Sequence, residues 1–167
     1  MTPTRPVPPA SGDPADGIAI LGAGLAGLSL GLRLVEAGVD APITLIEPRT
    51  AYADDRTWGF WETEPHPFAH LVAERWHAWR VRTPRAHYLR AGATPYVRLP
   101  AAAVYADACA RLQRAGNVTW RSGVRVTGLD PGTVRLDDGG SVRAGVIYDG
   151  RPPEATDVHA GRAARGP

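Results

Sequence analysis

Three glycines near the start of the chain have the spacing of a phosphate-binding turn. Gly22, Gly24 and Gly27 form the pattern G-x-G-x-x-G. In such a turn the first glycine allows a tight bend, the second lets the backbone approach a pyrophosphate, and the third lets a helix pack on a sheet. Unpaired N–H groups at the start of that helix would hold the phosphates. The pattern alone is weak, because glycine and alanine are common in this chain.

An acidic residue at a suitable distance strengthens this interpretation. Glu47 lies twenty residues beyond Gly27, at the end of the next apolar segment. A carboxylate at that position accepts hydrogen bonds from the ribose hydroxyls of a bound adenosine, and it repels a 2′-phosphate. Together the two features predict a site for FAD or NAD and disfavour NADP.

The segments around the turn have the order that such a site needs. Gly17–Leu21 is a short continuous apolar run, typical of a strand that is buried on both faces. A helix follows and ends near Gly38. Its apolar face carries Leu28, Leu32 and Val35. Ile43–Glu47 is a second apolar strand, so these segments predict a strand–helix–strand unit of about thirty residues.

The rest of the chain is less uniform. Between residues 48 and 95 we expect two short strands, Trp79–Thr83 and Ala86–Arg90. Pro100 suits the first turn of a helix that ends near Gly116 and buries Cys109 in its apolar face. Five short strands follow, at residues 118–121, 124–128, 133–136, 141–143 and 146–149. By analogy with known folds, a helix, a strand and a meander that leads to a last apolar strand favour FAD over NAD.

Composition excludes several classes of protein. The 167 residues are 44% apolar and 22% charged, which is an ordinary globular balance. Cys109 is the single cysteine, so the chain cannot form an intramolecular disulfide. No apolar run reaches the roughly eighteen residues of a membrane span. The net charge of +2 is too small to predict a nucleic-acid partner, and all 19 cationic residues are arginine.

Two segments carry a resemblance to a known family. Residues 54–61 are DDRTWGFW, and residues 145–153 are GVIYDGRPP. Both segments, within the span 18–153, resemble the amino-terminal part of the flavoprotein lycopene cyclases. The resemblance implies an α/β fold, in which a Rossmann-like FAD/NAD(P)-binding domain with an antiparallel β-meander precedes a second, substrate-binding sheet domain. It also implies a reaction in which reduced FAD helps a protein acid to protonate lycopene, so that a β-ionone ring closes without net redox change.

The same resemblance assigns cofactor-binding residues. Glu47 matches the ribose acceptor, Arg56 matches a cofactor contact, and Val126 matches a backbone contact to the adenine. The phosphate loop is matched by Gly22, Ala23, Gly24, Leu25, Ala26 and Gly27. No catalytic residue is assigned, because the catalytic acid of the family lies in the second half of those proteins. FAD is the implied cofactor, with NAD(P)H as a candidate reductant.

The expected domain plan follows from the resemblance and from the prolines at both ends. We expect a flexible proline-rich leader over residues 1–15, an FAD-binding domain over 16–153 with a partial substrate-side insertion at about 55–99, and an irregular tail over 154–167. The chain is expected to end before the substrate domain is complete and to be inactive in this form. Lycopene or a related linear carotenoid is the implied substrate, and the implied location is the cytoplasm, at the inner face of the membrane.

Other interpretations fit some of the same residues. The chain is also compatible with another FAD-dependent oxidoreductase, of monooxygenase or prenyl reductase type, or with a non-catalytic nucleotide-binding remnant. Trp58, Phe60 and Trp61 fit a polyene site as well as core packing, whereas Trp76 and Trp79 favour packing.

Two sets of polar side chains are explained without a functional site. The arginines between residues 75 and 90 favour a solvated sheet face over an anionic-membrane or nucleic-acid patch. His66, His70 and His77 lack the three or four converging ligands that a metal ion requires, so we expect no metal site.

Overall fold

The computed structural model describes residues 17–152, which form a mixed α/β fold. In chain order the elements are β1 (Ile18–Leu21), α1 (Leu25–Glu36), β2 (Ile43–Glu47), β3 (Thr57–Trp61), β4 (Glu74–Thr83), β5 (Ala86–Pro100), α2 (Ala101–Arg114), β6 (Val118–Ser122), β7 (Val126–Asp130), β8 (Thr133–Leu136), β9 (Ser141–Arg143) and β10 (Val146–Asp149). A short 3₁₀ turn, Ala69–Leu71, precedes β4. The expected leader and tail lie outside the described residues.

Four strands form a parallel sheet in the order β10–β1–β2–β6. Ile18 of β1 lies opposite Ile43 of β2 and Val146 of β10, and Ile43 lies opposite Val118 of β6. Because all four strands run in the same direction, their carboxyl ends meet along one edge of the sheet. The turn that follows β1 and the acidic end of β2 therefore lie side by side.

Both faces of the parallel sheet are covered, which explains why β1 and β2 are apolar on both faces. The two helices cover one face, where the core contains Ile20, Leu28, Leu45, Val104 and Leu112. The antiparallel sheet β7–β8–β9 covers the other face, where the core contains Ala19, Leu21, Ile46, Val134 and Leu136. Alternate residues of β1 and β2 thus enter different cores, and each fully buried leucine or isoleucine contributes roughly 1.5–3 kcal/mol.

A second antiparallel sheet, in the order β3–β5–β4, is inserted in the chain between β2 and α2. β3 pairs with the second half of β5, where Val97 and Leu99 are fully buried. β4 and the first half of β5 form a long hairpin that turns at residues 83–86. Most of residues 77–94 are exposed in this hairpin.

The observed elements follow the predicted ones closely, except in the insertion. β2, β8, β9 and β10 have the predicted bounds, whereas β7 begins two residues later than predicted, at Val126. The predicted strands Trp79–Thr83 and Ala86–Arg90 are only the outer part of the longer β4 and β5. β3 is absent from the prediction because its segment, TWGFW, owes its strand conformation to pairing with β5, far along the chain.

Candidate functional site

A cavity of about 460 Å³ opens at the carboxyl edge of the parallel sheet. The ends of β1, β2 and β10 form one side of it, and residues from α1, β3, α2 and β7 complete its wall. Its lining includes Gly22, Gly24, Leu25, Glu47, Arg49, Arg56, Trp58, Tyr105, Val126 and Gly150. Ligands of open α/β folds bind at this edge of the sheet, outside the carboxyl ends of the strands.

The turn between β1 and α1 contains glycine where the backbone geometry requires it. Gly22 has a φ of +89°, in the left-handed region that favours glycine. A Cβ atom on Gly27 would lie 2.0 Å from the carbonyl oxygen of Gly22, so any side chain there would force the turn and the helix apart. A Cβ atom on Gly24, by contrast, would meet no atom within 4 Å. A side chain at Gly24 would therefore project into the open space of the cavity and not into the protein core.

The start of α1 supplies the polar groups of this turn. The helix begins at Leu25, so its first backbone N–H groups have no acceptor within the helix and lie at the positive end of the helix dipole. Leu28 closes the first turn by donating its N–H to the Gly24 carbonyl at 2.9 Å. An anion in the adjacent cavity would be stabilised at this helix end.

Glu47 is held against the same turn. Its side chain is buried, and its Oε2 accepts a hydrogen bond of 2.8 Å from the backbone N–H of Ala23. Its Oε1 accepts hydrogen bonds from Arg49 Nε at 2.8 Å and from the Arg49 backbone N–H at 3.1 Å. Burial opposes ionisation of the carboxyl, but the hydrogen bonds from Arg49 and Ala23 outweigh it and hold the pKa below its usual range. Glu47 is therefore a buried carboxylate that faces the cavity.

Arg49 is a cavity residue that the motif does not indicate. Its guanidinium lies over the ring of Tyr52, 4.6 Å from the centroid, and 5.3 Å from the centroid of Tyr105. Its Nη1 donates to the Tyr105 hydroxyl at 3.1 Å, and the rings of Tyr52 and Tyr105 are stacked at 4.2 Å. Arg49 lies two residues after Glu47, beyond the end of β2, and no local pattern in the sequence marks it as a cavity residue.

Replacing Arg49 with methionine tests this pairing through its pH dependence. The stability that Glu47 contributes is present above the pKa of its carboxyl in the unfolded chain, and it is lost as the pH falls through the lower folded value. Without the Arg49 guanidinium, the pKa of Glu47 rises towards its value in the unfolded chain, so we expect the variant to lose less stability on acidification than the unaltered chain does. At pH 7 we expect the free energy of unfolding to fall by about 1.5–3 kcal/mol, because a buried carboxylate loses its hydrogen bonds from a charged side chain.

Thermal unfolding followed by circular dichroism between pH 4 and pH 8 measures both effects. Arg114→Met is the matched control, because it removes an exposed arginine at the end of α2, away from the cavity. The control should show neither the loss at pH 7 nor the shift in acid sensitivity. Identical pH profiles for the two variants would contradict the role assigned to Arg49.

The remaining predicted site residues differ in their positions. Arg56 lines the cavity with a side chain that is 66% exposed, and its Nε lies 3.8 Å from Asp55 Oδ2. Val126 is half-buried at the start of β7 and also lines the cavity. The cavity lining does not include Ala23, Ala26 or Gly27. Ala23 is buried and its N–H is used to hold Glu47, whereas Gly27 acts through packing.

The segment after β10 closes the cavity beside the turn. Gly150 donates its N–H to the Leu21 carbonyl at 2.9 Å, and its backbone lies against Gly22. Asp149 accepts hydrogen bonds from Arg151 Nε at 2.8 Å and Nη2 at 2.7 Å. The Arg151 guanidinium holds the pKa of the Asp149 carboxyl below its usual range. The segment that resembles the family pattern thus fixes one wall of the site.

The aromatic residues of the insertion do not share one site. Trp58 lines the cavity and packs edge-on against Tyr105, with ring centroids 5.4 Å apart. Trp61 is 42% exposed on the opposite face of β3 and contacts Trp79, with ring centroids 4.5 Å apart. The structure therefore separates Trp58 from the exposed aromatic cluster on the other face.

The described residues also show how the histidines and the helices are placed. His66 pairs with Glu62 at 3.2 Å and His70 pairs with Asp107 at 3.1 Å. Within residues 17–152, no three or more of His, Cys, Asp and Glu are grouped as a metal site would require.

In the same range, neither helix has the length and apolar character needed to cross a membrane.

Comparison with known proteins gives a family and a set of similar folds. The family described as lycopene cyclase protein matches residues 17–165. PqsL, a probable FAD-dependent monooxygenase from Pseudomonas aeruginosa, shares 14% identity and a TM-score of 0.59, with 79% of this chain and 41% of that chain covered. PnpA, a p-nitrophenol 4-monooxygenase from Pseudomonas putida DLL-E4, shares 17% identity and a TM-score of 0.59, with coverages of 85% and 42%.

A third solved structure has a different activity on a similar fold. The Diels-Alderase PyrE3, from the biosynthetic pathway of pyrroindomycins, shares 20% identity and a TM-score of 0.59, with coverages of 87% and 34%. At such identities the likeness is one of fold. The chain covers between 34% and 42% of the length of these three proteins. None of the curated proteins matches the chain.

Proposed function

This chain belongs to the lycopene cyclase family, and on that basis we propose that it is the FAD-binding portion of a lycopene β-cyclase-like enzyme of carotenoid biosynthesis. The observation that carries the proposal is the cavity, where the open space at Gly24, the start of α1 and the buried carboxylate of Glu47 converge. In this proposal residues 16–153 form a Rossmann-like domain, and the β3–β5–β4 sheet is the substrate-side part inserted into it.

The residues that line the cavity fit the parts of FAD. The first N–H groups of α1 would hold the pyrophosphate, and the absence of a side chain on Gly24 leaves open space beside them. Glu47 would accept the ribose hydroxyls. Its four acceptor positions are already used by Ala23 and Arg49, so a ribose would displace the weakest bond, from Arg49 Nη2 at 3.3 Å. Val126 would meet the adenine through its backbone, and Arg56 would contact the cofactor at the cavity mouth.

The proposed chemistry divides between the cofactor and the chain. Reduced FAD, when bound, would stabilise the positive charge that develops on a protonated polyene. The residues of this chain bind and orient the cofactor, and Trp58 and Tyr105 provide an apolar wall that excludes water. We assign no catalytic acid within this chain. NAD(P)H would serve as reductant.

The proposed substrate is lycopene or a related linear carotenoid. Such a hydrocarbon dissolves in the bilayer rather than in water, so the proposal places the protein in the cytoplasm at the inner face of the membrane. It also predicts that substrate enters from an apolar phase.

Two measurements test the proposal together. We expect the purified chain to bind FAD, giving the absorption spectrum of a flavoprotein. We expect expression of the gene in cells that accumulate lycopene to convert lycopene to cyclic carotenoids detectable by chromatography. A flavin-containing protein whose cells keep only lycopene would overturn the cyclase activity but not the flavin site, and a chain that does not bind FAD would overturn both.

A second candidate is a flavin-dependent monooxygenase. It is favoured by the fold likeness to PqsL, described as a probable FAD-dependent monooxygenase, and to PnpA, a p-nitrophenol 4-monooxygenase. The two candidates differ in net redox chemistry. A cyclase should consume no more NAD(P)H in the presence of substrate than in its absence, whereas a monooxygenase consumes one NAD(P)H for each product formed.

A further inference from the structure

The outer part of the β4–β5 hairpin combines positive charge with exposed apolar side chains. Six arginines and no acidic residue occur between residues 75 and 100. Two of these arginines are paired, Arg75 with Glu62 and Arg98 with Glu74. The other four, Arg80, Arg82, Arg85 and Arg90, form no ion pair within residues 17–152. The hairpin therefore carries a concentration of uncompensated positive charge on a chain whose net charge is only +2.

Apolar side chains are exposed between these arginines. Val81 is 46% exposed, Tyr88 is 46% exposed and Leu89 is 64% exposed. Protection of strand edges against aggregation explains arginines on an exposed hairpin, but it does not explain exposed valine, tyrosine and leucine beside them. Such a mixture indicates a surface that meets a partner.

Both faces of the hairpin have this character. Val81 lies opposite Tyr88 on one face, where the Arg90 guanidinium lies 5.5 Å from the centroid of the Tyr88 ring. Arg80 lies opposite Leu89 on the other face, because cross-strand partners share a face and successive residues alternate. A groove on a protein would cover one face and leave the other in water. The headgroup layer of a bilayer surrounds a protruding element on both faces. Tyrosine and arginine side chains are favourable in this layer, because each combines an apolar part with a polar end.

We propose that the outer β4–β5 hairpin, residues 78–92, docks onto an anionic phospholipid surface. The arginines would contact lipid phosphates, while Val81, Tyr88 and Leu89 would enter the boundary between headgroups and acyl chains. Arg80, Arg82 and His87 border a shallow pocket of about 300 Å³ that would receive a headgroup. This assigns a surface to the membrane association proposed above and in that respect rests on the proposed function, although it does not depend on the flavin site.

Vesicle sedimentation tests the proposal with the full chain. The probes are vesicles of phosphatidylcholine alone and vesicles that contain 30% phosphatidylglycerol. We expect binding to the anionic vesicles only, and a decrease in that binding as salt is raised, because salt screens the attraction. Arg80→Gln/Arg82→Gln should weaken binding about fivefold for each arginine removed. Arg114→Gln/Arg143→Gln removes the same charge from exposed positions elsewhere and should bind like the unaltered chain.

A second pair of variants tests the apolar contribution. Leu89→Ser should reduce binding to anionic vesicles, whereas Leu129→Ser, at an exposed site on β7, should not. Four results would overturn the proposal: no binding to anionic vesicles, equal losses in hairpin and control variants, self-association that the hairpin variants abolish, or binding to nucleic acid without binding to vesicles. The flavin spectrum of the same samples distinguishes failure of the membrane proposal from failure of the FAD site, since the hairpin variants should bind FAD normally.

Discussion

Replacing Gly24 with valine is expected to abolish FAD binding while leaving the fold intact. Gly24 lines the cavity, and a Cβ atom there would meet no protein atom within 4 Å. The added side chain would therefore enter the space proposed for the pyrophosphate rather than the core. We expect at least a hundredfold weaker binding of FAD, because loss of phosphate contacts at a helix start removes the main polar interactions of such a site.

Stability should change little in the same variant. Gly24 precedes α1 with φ of −78° and ψ of −168°, an extended conformation that valine adopts easily. Glycine is only a moderate helix N-cap, so its loss should cost about 1 kcal/mol or less. The measurements are an FAD titration by fluorescence and a denaturant unfolding curve on the same protein.

Gly116→Val is the matched control for this variant. A Cβ atom at Gly116 would also meet open space, but the residue lies after α2 and outside the cavity. The control should bind FAD as the unaltered chain does. FAD binding by Gly24→Val at undiminished affinity would remove the phosphate site from this turn, whatever the family of the chain.

The sequence could predict the turn and Glu47 because each is marked by a short local pattern of residues. Gly22, Gly24 and Gly27 lie within six residues, and the strand that carries Glu47 is a short apolar run. Parallel pairing of β1 with β2 then brings Glu47 to the turn, where Ala23 donates to it. Few other arrangements of a strand, a helix and a strand are possible, since such crossovers are right-handed.

Arg49 shows what local spacing could not reveal. Its partner Tyr105 is 56 residues away in sequence, and the apolar spacing of α2 predicts only that Tyr105 is buried. The hydroxyl of Tyr105 and the ring of Tyr52 become an arginine site only after α2 packs beside the end of β2. A polar role for a residue on an apolar helix face depends on such tertiary contacts. The periodicity of the sequence does not predict these contacts.

The insertion was predicted least well for a related reason. Its three strands pair with partners up to 43 residues apart, as Thr57 does with Pro100, and its exposed hairpin has no alternation between a buried and a solvated face. The pattern that predicts strands arises from burial on one side. Where both faces are exposed, as around Val81 and Leu89, the signal is absent although the strand is present.

Replacing Gly27 with alanine is expected to destabilise the whole fold. The added Cβ would lie 2.0 Å from the carbonyl oxygen of Gly22 and 3.2 Å from Cγ2 of Ile20. The first neighbour is backbone in a turn fixed by the hydrogen bond from Gly22 to the Ile46 carbonyl, so it cannot move without disturbing β1 and β2. We expect the free energy of unfolding to fall by about 3 kcal/mol or more, which is at the upper end for overpacking. Denaturant unfolding measures this change.

Gly31→Ala, one turn further along α1, separates this clash from a general effect of alanine. Its Cβ would lie 3.3 Å from Cδ2 of Leu112, the end of a flexible side chain. Crowding there is offset by the roughly 1 kcal/mol that alanine gains over glycine within a helix, so we expect little net change. If Gly27→Ala proved as stable as Gly31→Ala, the turn would have to be wider than the one described, and the close packing of α1 on the phosphate loop would be wrong. A large loss for Gly27→Ala alone, together with an intact but FAD-free Gly24→Val, would assign packing to one glycine and ligand space to the other.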